Sequence, residues 1–123
     1  NKDYGFFGVT IHKMSTGIDS GDIIYSHRQK IETNDNFASI NCKAIVKGVE
    51  LMIKTIKLIK DNKMKSTKQW TKGKIIYGRN YNGFIAFLYF LKLKKFIFEY
   101  NILQESRMLP RITLVENGIK NDY

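Results

Sequence analysis

The chain is short of the residues that would settle its class at once. It has 123 residues but only one cysteine and one proline. A lone Cys42 excludes an intramolecular disulfide and so the disulfide-stapled secreted folds, and a reducing, cytoplasmic setting is expected. The histidines are two, His12 and His27, and with Cys42 they lack metal-ligand spacing, so no metal site is expected. No Gly-rich phosphate loop of the Walker or dinucleotide type is present. No apolar run reaches the roughly 18–20 residues of a membrane span. The uninterrupted run Gly83–Leu91 is followed at once by Lys92, Lys94 and Lys95. Residues 1–7 show no basic start followed by an apolar stretch, so no signal peptide is read there. Residue 1 is Asn rather than Met, from which a missing N-terminal part is expected.

Acidic residues are scarce too: 11 against 21 Lys and Arg, a net charge of +10. The excess is local. Between Lys43 and Arg79 stand eleven basic residues and two acidic ones, Glu50 and Asp61. Such a run can bind an anionic partner, nucleic acid or a membrane surface. Lysines spread without interleaved arginine and aromatics read more simply as a solvated helix face. What the chain does have is a hydrophobic fraction of 43%, enough for a core in one modest domain.

Residues 8–14 alternate, with Val9, Ile11 and Lys13 on one face and Thr10, His12 and Met14 on the other. Residues 22–31 alternate as well, with Ile23, Tyr25, His27, Gln29 and Ile31 on one face. The connection Ser15–Gly21 joins them as an antiparallel pair, by a loop too long for a two-residue turn. Thr33-Asn34-Asp35-Asn36 then offers helix N-caps. Ile45, Val49, Met52, Ile56 and Ile59 recur at spacings of four and three, which predicts an amphipathic helix of about six turns. Asp61-Asn62 ends it. Residues 69–82 read as short extended pieces around Gly73 and Gly78, and residues 83–106 as a buried or docking helix stopped by Pro110. Residues 112–115 read as a short last strand, and the tail to Tyr123 as loose.

The most informative string is Gly8–Ile24, GVTIHKMSTGIDSGDII. Asp19 lies at the tip of its turn, between Gly17 and Gly21. Glycines permit backbone angles closed to other residues and let a ligand approach the main chain. The string resembles the second half of the catalytic domain of the folate-dependent formyltransferases. Gly17-Ile18-Asp19-Ser20-Gly21 is similar to that family's G-[IL]-D-[TS]-G turn, and Thr10-Ile11-His12 to its T-[IV]-H strand. The resemblance covers residues 8–62. It implies formyl transfer from 10-formyltetrahydrofolate to an amine, with Asp19 as a catalytic residue that organises a water, relays protons and keeps a partner histidine charged. Thr10, His12, Ser15, Gly17 and Gly21 would line the substrate site. Asp22 departs from members with Pro there, while other members have Asp.

One part of the family pattern is absent. The family's upstream Asn-x-His has no counterpart, since neither His12 nor His27 follows an Asn by two positions. The chain alone is therefore expected to be inactive. Fold class is read as α/β: a partial Rossmann-like domain over residues 1–62, with an antiparallel strand pair and a long helix, then a mainly helical extension over residues 63–123. Such a piece is expected to leave a sheet edge unpaired and apolar faces uncovered. The favoured acceptor is an amino sugar, linked to a nucleotide, or another small amine, with tRNA less favoured. The alternative function is a non-enzymatic basic module that binds nucleic acid or a membrane surface. His27 reads as a strand residue outside the site, and Cys42 as a helix residue that is not a nucleophile.

Overall fold

The computed structural model describes residues 7–17, 19–70, 82–106 and 112–122. The order of elements is β1 (Gly8–His12), β2 (Ile23–Arg28), α1 (Phe37–Lys60), α2 (Gly83–Glu105), β3 (Thr113–Glu116) and β4 (Ile119–Asp122). The strands form one sheet in the order β1-β2-β3-β4, and each neighbouring pair is antiparallel. The fold is thus α/β, with an antiparallel sheet and two helices. The extended pieces read around Gly73 and Gly78, and the stop at Pro110, lie outside the described residues.

β1 and β2 pair as their alternation predicts, Gly8 against Arg28 through Ile11 against Tyr25. The register then shifts, and His12 stands opposite Ile23. This bulge re-aims the end of β1. Ile24 and Tyr25 are both buried, so β2 has cover on both faces and its period of two does not show in burial.

The sheet is larger than the expected strand pair. Residues 119–122 are not loose: they form β4, which folds back on β3 through Asn117-Gly118. Both turn residues have positive φ, 46° and 74°, the conformation that makes Asn-Gly the favoured two-residue hairpin turn. The Asn117 side chain accepts a bond from Lys65 N–H at 2.8 Å and donates to the Lys63 carbonyl at 3.2 Å. β3 lies beside β2, so that edge of the hairpin is paired, and β1 is an outer edge.

α1 starts and stops where its sequence signals lie. Asn36 caps it, with its side chain accepting from Ser39 N–H and the Ser39 hydroxyl accepting from Asn36 N–H. Asp61 is the C-cap, and Asn62 follows at φ 52°. The buried face, however, is not the expected one. Ile40, Leu51 and Thr55 are buried, while Ile45, Val49, Met52, Ile56 and Ile59 are exposed. The helix carries apolar residues on two sides. The side against the sheet holds the small Gly48, where a Cβ would stand 3.5 Å from Val9 Cγ1. That is ordinary van der Waals distance; β1 packs on this face, where Leu51 joins Ile11, Ile24 and Tyr25, and the more hydrophobic stripe is left exposed.

Two clusters make the core. Ile11, Ile24, Tyr25 and Leu51 join sheet to α1. Ile31, Ile40, Ile97 and Tyr100 join the β2–α1 connection to α2. Near the α1 cap, Lys43 Nζ lies 2.9 Å from both Glu32 and Asp35. Burial acts upward on the Asp35 carboxyl, but the Glu32 N–H, the Lys43 ammonium and the Ser39 hydroxyl together hold it below the usual range. Its contribution to stability is complete above its unfolded pKa of about 3.9 and is lost as pH falls through the lower folded value. Urea unfolding followed against pH is expected to show wild type more stable than Asp35→Asn at pH 6, with the gap closing on acidification below about pH 4.

Candidate functional site

The loop between β1 and β2 is closed at its base by Lys13 N–H, which donates to the Asp22 carbonyl at 2.9 Å. At its tip Asp19 adopts φ 46°, a left-handed conformation that Asp tolerates better than most residues. Asp19 Oδ1 lies 3.6 Å from His12 Nε2. The carboxylate is open to solvent, its side chain 87% exposed, and the imidazole is 29% exposed. The other ring nitrogen, Nδ1, lies 2.9 Å from the Lys13 carbonyl. A carbonyl only accepts, so the Nδ1 proton makes that bond and fixes the tautomer. Nε2 then offers a lone pair in the neutral ring. Asp19 Oδ1 faces that nitrogen from just beyond hydrogen-bond distance.

Three features hold this geometry. Gln69 Nε2 donates to the Asp19 carbonyl at 2.6 Å and to the Gly21 carbonyl at 2.9 Å. The Ser15 and Ser20 hydroxyls are 2.7 Å apart. The third is close packing at the two glycines, against backbone at Gly21 and against a side chain at Gly17. A Cβ on Gly21 would run into the Lys13 carbonyl, and one on Gly17 into the Ser20 hydroxyl. Gly21→Ala is therefore expected to cost about 1–3 kcal/mol by overpacking. Gly83→Ala, where nothing lies within 4 Å, is expected to be neutral or better. Urea unfolding of the two variants is the check.

The structure thus brings together His12, Ser15, Gly17, Asp19 and Gly21. Thr10 stands apart, exposed in mid-strand opposite Ser26 and on the far side of the bulge. Two loop residues were not singled out by the sequence reading. Ser20 lies within the matched turn. Gln69 comes 50 residues after Asp19 and reaches the loop because Thr67 bridges to Ile23. No local pattern signals that clamp.

A concave feature lies at the other end of the hairpin. A groove of about 390 Å³ is lined by residues of β2, its C-terminal flank and α1, among them His27, Gln29, Cys42 and Lys47. Burial, and then the Lys47 ammonium, push the His27 pKa down, with Glu50 opposing. None of the loop residues lines this groove, so His27 and Asp19 belong to different places. Among the described residues no cluster of His, Cys, Asp and Glu could hold a metal ion.

No protein-family model matches the chain, and no solved structure matches it. Curated proteins do. The chain is 35% identical over 80 residues to a methionyl-tRNA formyltransferase of Prochlorococcus marinus strain MIT 9312, covering 60% of this chain and 24% of the relative. It is 37% identical over 63 residues to the protein of the same name from Prochlorococcus marinus strain AS9601, covering 51% and 19%. It is 39% identical over 54 residues to the methionyl-tRNA formyltransferase of Caldicellulosiruptor saccharolyticus, covering 44% and 17%. The chain spans about a quarter or less of the length of these relatives.

Proposed function

The chain is related to the formyltransferase family, and from that premise we propose that residues 1–62 supply the Asp-bearing part of a formyltransferase catalytic domain. Residues 63–123 are its C-terminal extension, which also completes the sheet through β3 and β4. The observation that carries this reading is the Asp19 carboxylate, folded back to 3.6 Å from His12 by a loop in which Gly21 makes an obligatory close approach to the Lys13 carbonyl. Formyl transfer needs a group that handles protons as the amine attacks and the donor nitrogen departs. Asp19 takes that role at the solvent edge of β1, relaying a proton to or from water. His12 positions the carboxylate, and Ser15, Gly17 and Gly21 shape the loop.

Formyl-tetrahydrofolate is the donor this relationship implies. A carboxylate that is 87% exposed is not part of an enclosed pocket, and the groove of the chain lies elsewhere. The described residues therefore do not by themselves enclose a folate. The acceptor needs revision. An amino sugar was favoured from the sequence, but the relatives carry methionyl-tRNA in their names, and that is the acceptor proposed in its place. A net charge of +10 suits a polyanionic substrate. The exposed stripe of α1 suits a further layer of protein over the helix.

A hybrid enzyme tests the reading. Residues 8–62 replace the matching segment of the Prochlorococcus marinus MIT 9312 relative, and formylation of methionyl-tRNA is measured. Activity within about a hundredfold of the relative supports the assignment, since that is the low end of what a lost acid–base group costs. A folded hybrid without activity overturns it. The chain alone, which lacks Asn-x-His, is expected to give no turnover above buffer with 10-formyltetrahydrofolate and methionyl-tRNA. Measurable turnover would mean that the chain holds a complete site.

A further inference from the structure

Residues 63–70 run from the end of α1 to the Asp19 loop and are fastened along the way. Asn117 accepts from Lys65 N–H at 2.8 Å and donates to the Lys63 carbonyl at 3.2 Å. Thr67 and Ile23 exchange both of their backbone bonds, at 2.8 and 2.9 Å. Gln69 closes on the Asp19 and Gly21 carbonyls. These anchors fix which side chains face water. Met64, Ser66, Thr67 and Gln69 are half-buried, while Lys63, Lys65, Lys68 and Trp70 are exposed. The open side of the segment is thus lysine and indole. Among the described residues no acidic side chain forms an ion pair with those lysines.

β4 adds a further cation. Lys120 Nζ stands 4.5 Å from the centroid of the Trp70 ring, within the range of a cation–π contact. With that ammonium in place Trp70 is still 45% exposed. Lys120 is remote from Trp70 in sequence, so no local pattern pairs the two. The fold supplies the mixture of cation and aromatic that the lysine run by itself lacks.

A partner for this surface must accept positive charge along a line and offer a flat face to an indole. Single-stranded nucleic acid does both: its phosphates follow the cations, and a base of any identity stacks on the ring. A bilayer surface fits poorly, because the exposed side chains of the segment are charged apart from the one ring and leave little apolar area to bury. An acidic peptide would pair with the lysines and leave the indole unused. Place matters as well. Gln69 joins the segment to the Asp19 loop. In an aminoacyl-tRNA the amine hangs from the single-stranded 3′ end, and unpaired bases of that kind are the ones that stack on aromatic side chains.

We infer that Lys63, Lys65, Lys68, Trp70 and Lys120 bind single-stranded nucleic acid, with a base stacked on Trp70 and phosphates on the lysines, and lead its end to the Asp19 loop. The approach to Asp19 rests on the formyl-transfer reading. The binding does not, so a failed hybrid enzyme and a failed binding titration are separate results.

Intrinsic fluorescence of the full chain tests this, because Trp70 is its single tryptophan. A single-stranded RNA of about eight nucleotides, within the usual site size, is expected to quench that emission, with affinity falling as salt rises. Trp70→Ala, followed by anisotropy of the labelled RNA, is expected to weaken binding about five- to 150-fold, the loss of one stacked base, and Trp70→Phe is expected to recover most of it. Lys68→Gln/Lys120→Gln is expected to lower the slope of log affinity against log salt by about 1.4, two phosphate contacts on a single strand. Lys92→Gln/Lys94→Gln removes the same charge from α2 and is expected to bind like wild type. The inference is overturned if wild type does not bind the RNA, if Trp70→Ala binds as well as wild type, or if the α2 variant loses as much as Lys68→Gln/Lys120→Gln. A change in emission with vesicles containing phosphatidylglycerol, and none with RNA, assigns the surface to lipid and also overturns it.

Discussion

Asp19→Asn in the hybrid enzyme is expected to lower kcat by about a hundred- to ten-thousand-fold, the usual contribution of a general acid–base group. Asn keeps the size of Asp and tolerates the same left-handed backbone, φ 46°, so the loop survives the change. Its carbonyl stays bonded to Gln69, because that contact uses the main chain. What disappears is the charge opposite His12 Nε2 and the capacity to accept a proton. The loss should fall on kcat, with KM changed less. His27→Asn is the comparison. His27 lines the groove at the other end of the hairpin, and its exchange is expected to leave kcat within about twofold, far inside the effect of losing an acid–base group. Single-turnover and steady-state formylation of methionyl-tRNA give both numbers. Retention of most of the rate by Asp19→Asn would make Asp19 a turn residue and nothing more.

Tyr100→Ala is expected to cost the chain about 3–5 kcal/mol, the range for removing a buried aromatic. Tyr100 is fully buried in the cluster with Ile31, Ile40 and Ile97, with the Phe96 ring 6.0 Å away. Its hydroxyl donates to the Gln29 carbonyl at 3.1 Å. Burial raises the phenol pKa, with Arg28 acting the other way, so the proton needed for that bond is secure at neutral pH. Tyr100→Phe keeps the ring and loses the bond, at about 1 kcal/mol. Urea unfolding midpoints of the two variants separate packing from hydrogen bonding. Because this residue ties α2 to the β2–α1 connection, the Ala variant is also expected to loosen α2 in hydrogen exchange, and the Phe variant is not.

Much of the local structure could be read from local signals. Alternation at Val9–Ile11, the cap at Asn36 and the stop at Asp61-Asn62 each rest on a few adjacent residues, and each stands as read. Asn117-Gly118 is an equally local signal, and it turns the tail expected to be loose into the hairpin of β3 and β4. The buried side of α1 was a different matter. Period alone cannot choose between two apolar faces; the choice lies in packing between separate elements, Leu51 with Ile11, Ile24 and Tyr25. At the loop, the Gly17–Asp19–Gly21 spacing could be read from the sequence, whereas the Gln69 clamp could not, since nothing near residue 69 refers to residue 19. The role proposed for Asp19 rests on the family resemblance together with its 3.6 Å approach to His12, and not on any single spacing.

The placement of β3 beside β2 governs how the chain comes together in time. Ser26 receives its bond from Val115 across 89 residues, and Gln29 its bond from Tyr100 across 71. Partners so far apart in sequence make closure slow, because the loop entropy must be overcome before the contact forms. A chain emerging from the ribosome completes the β1–β2 hairpin and α1 early. Thr67 bridges that second edge of β2 at Ile23, and beyond Ile23 the edge stays open until β3 has been made. During that interval the edge can pair with another chain. Expression at low temperature and slow translation should therefore favour monomeric product, and a stop codon before residue 113 should give a protein that aggregates through β2.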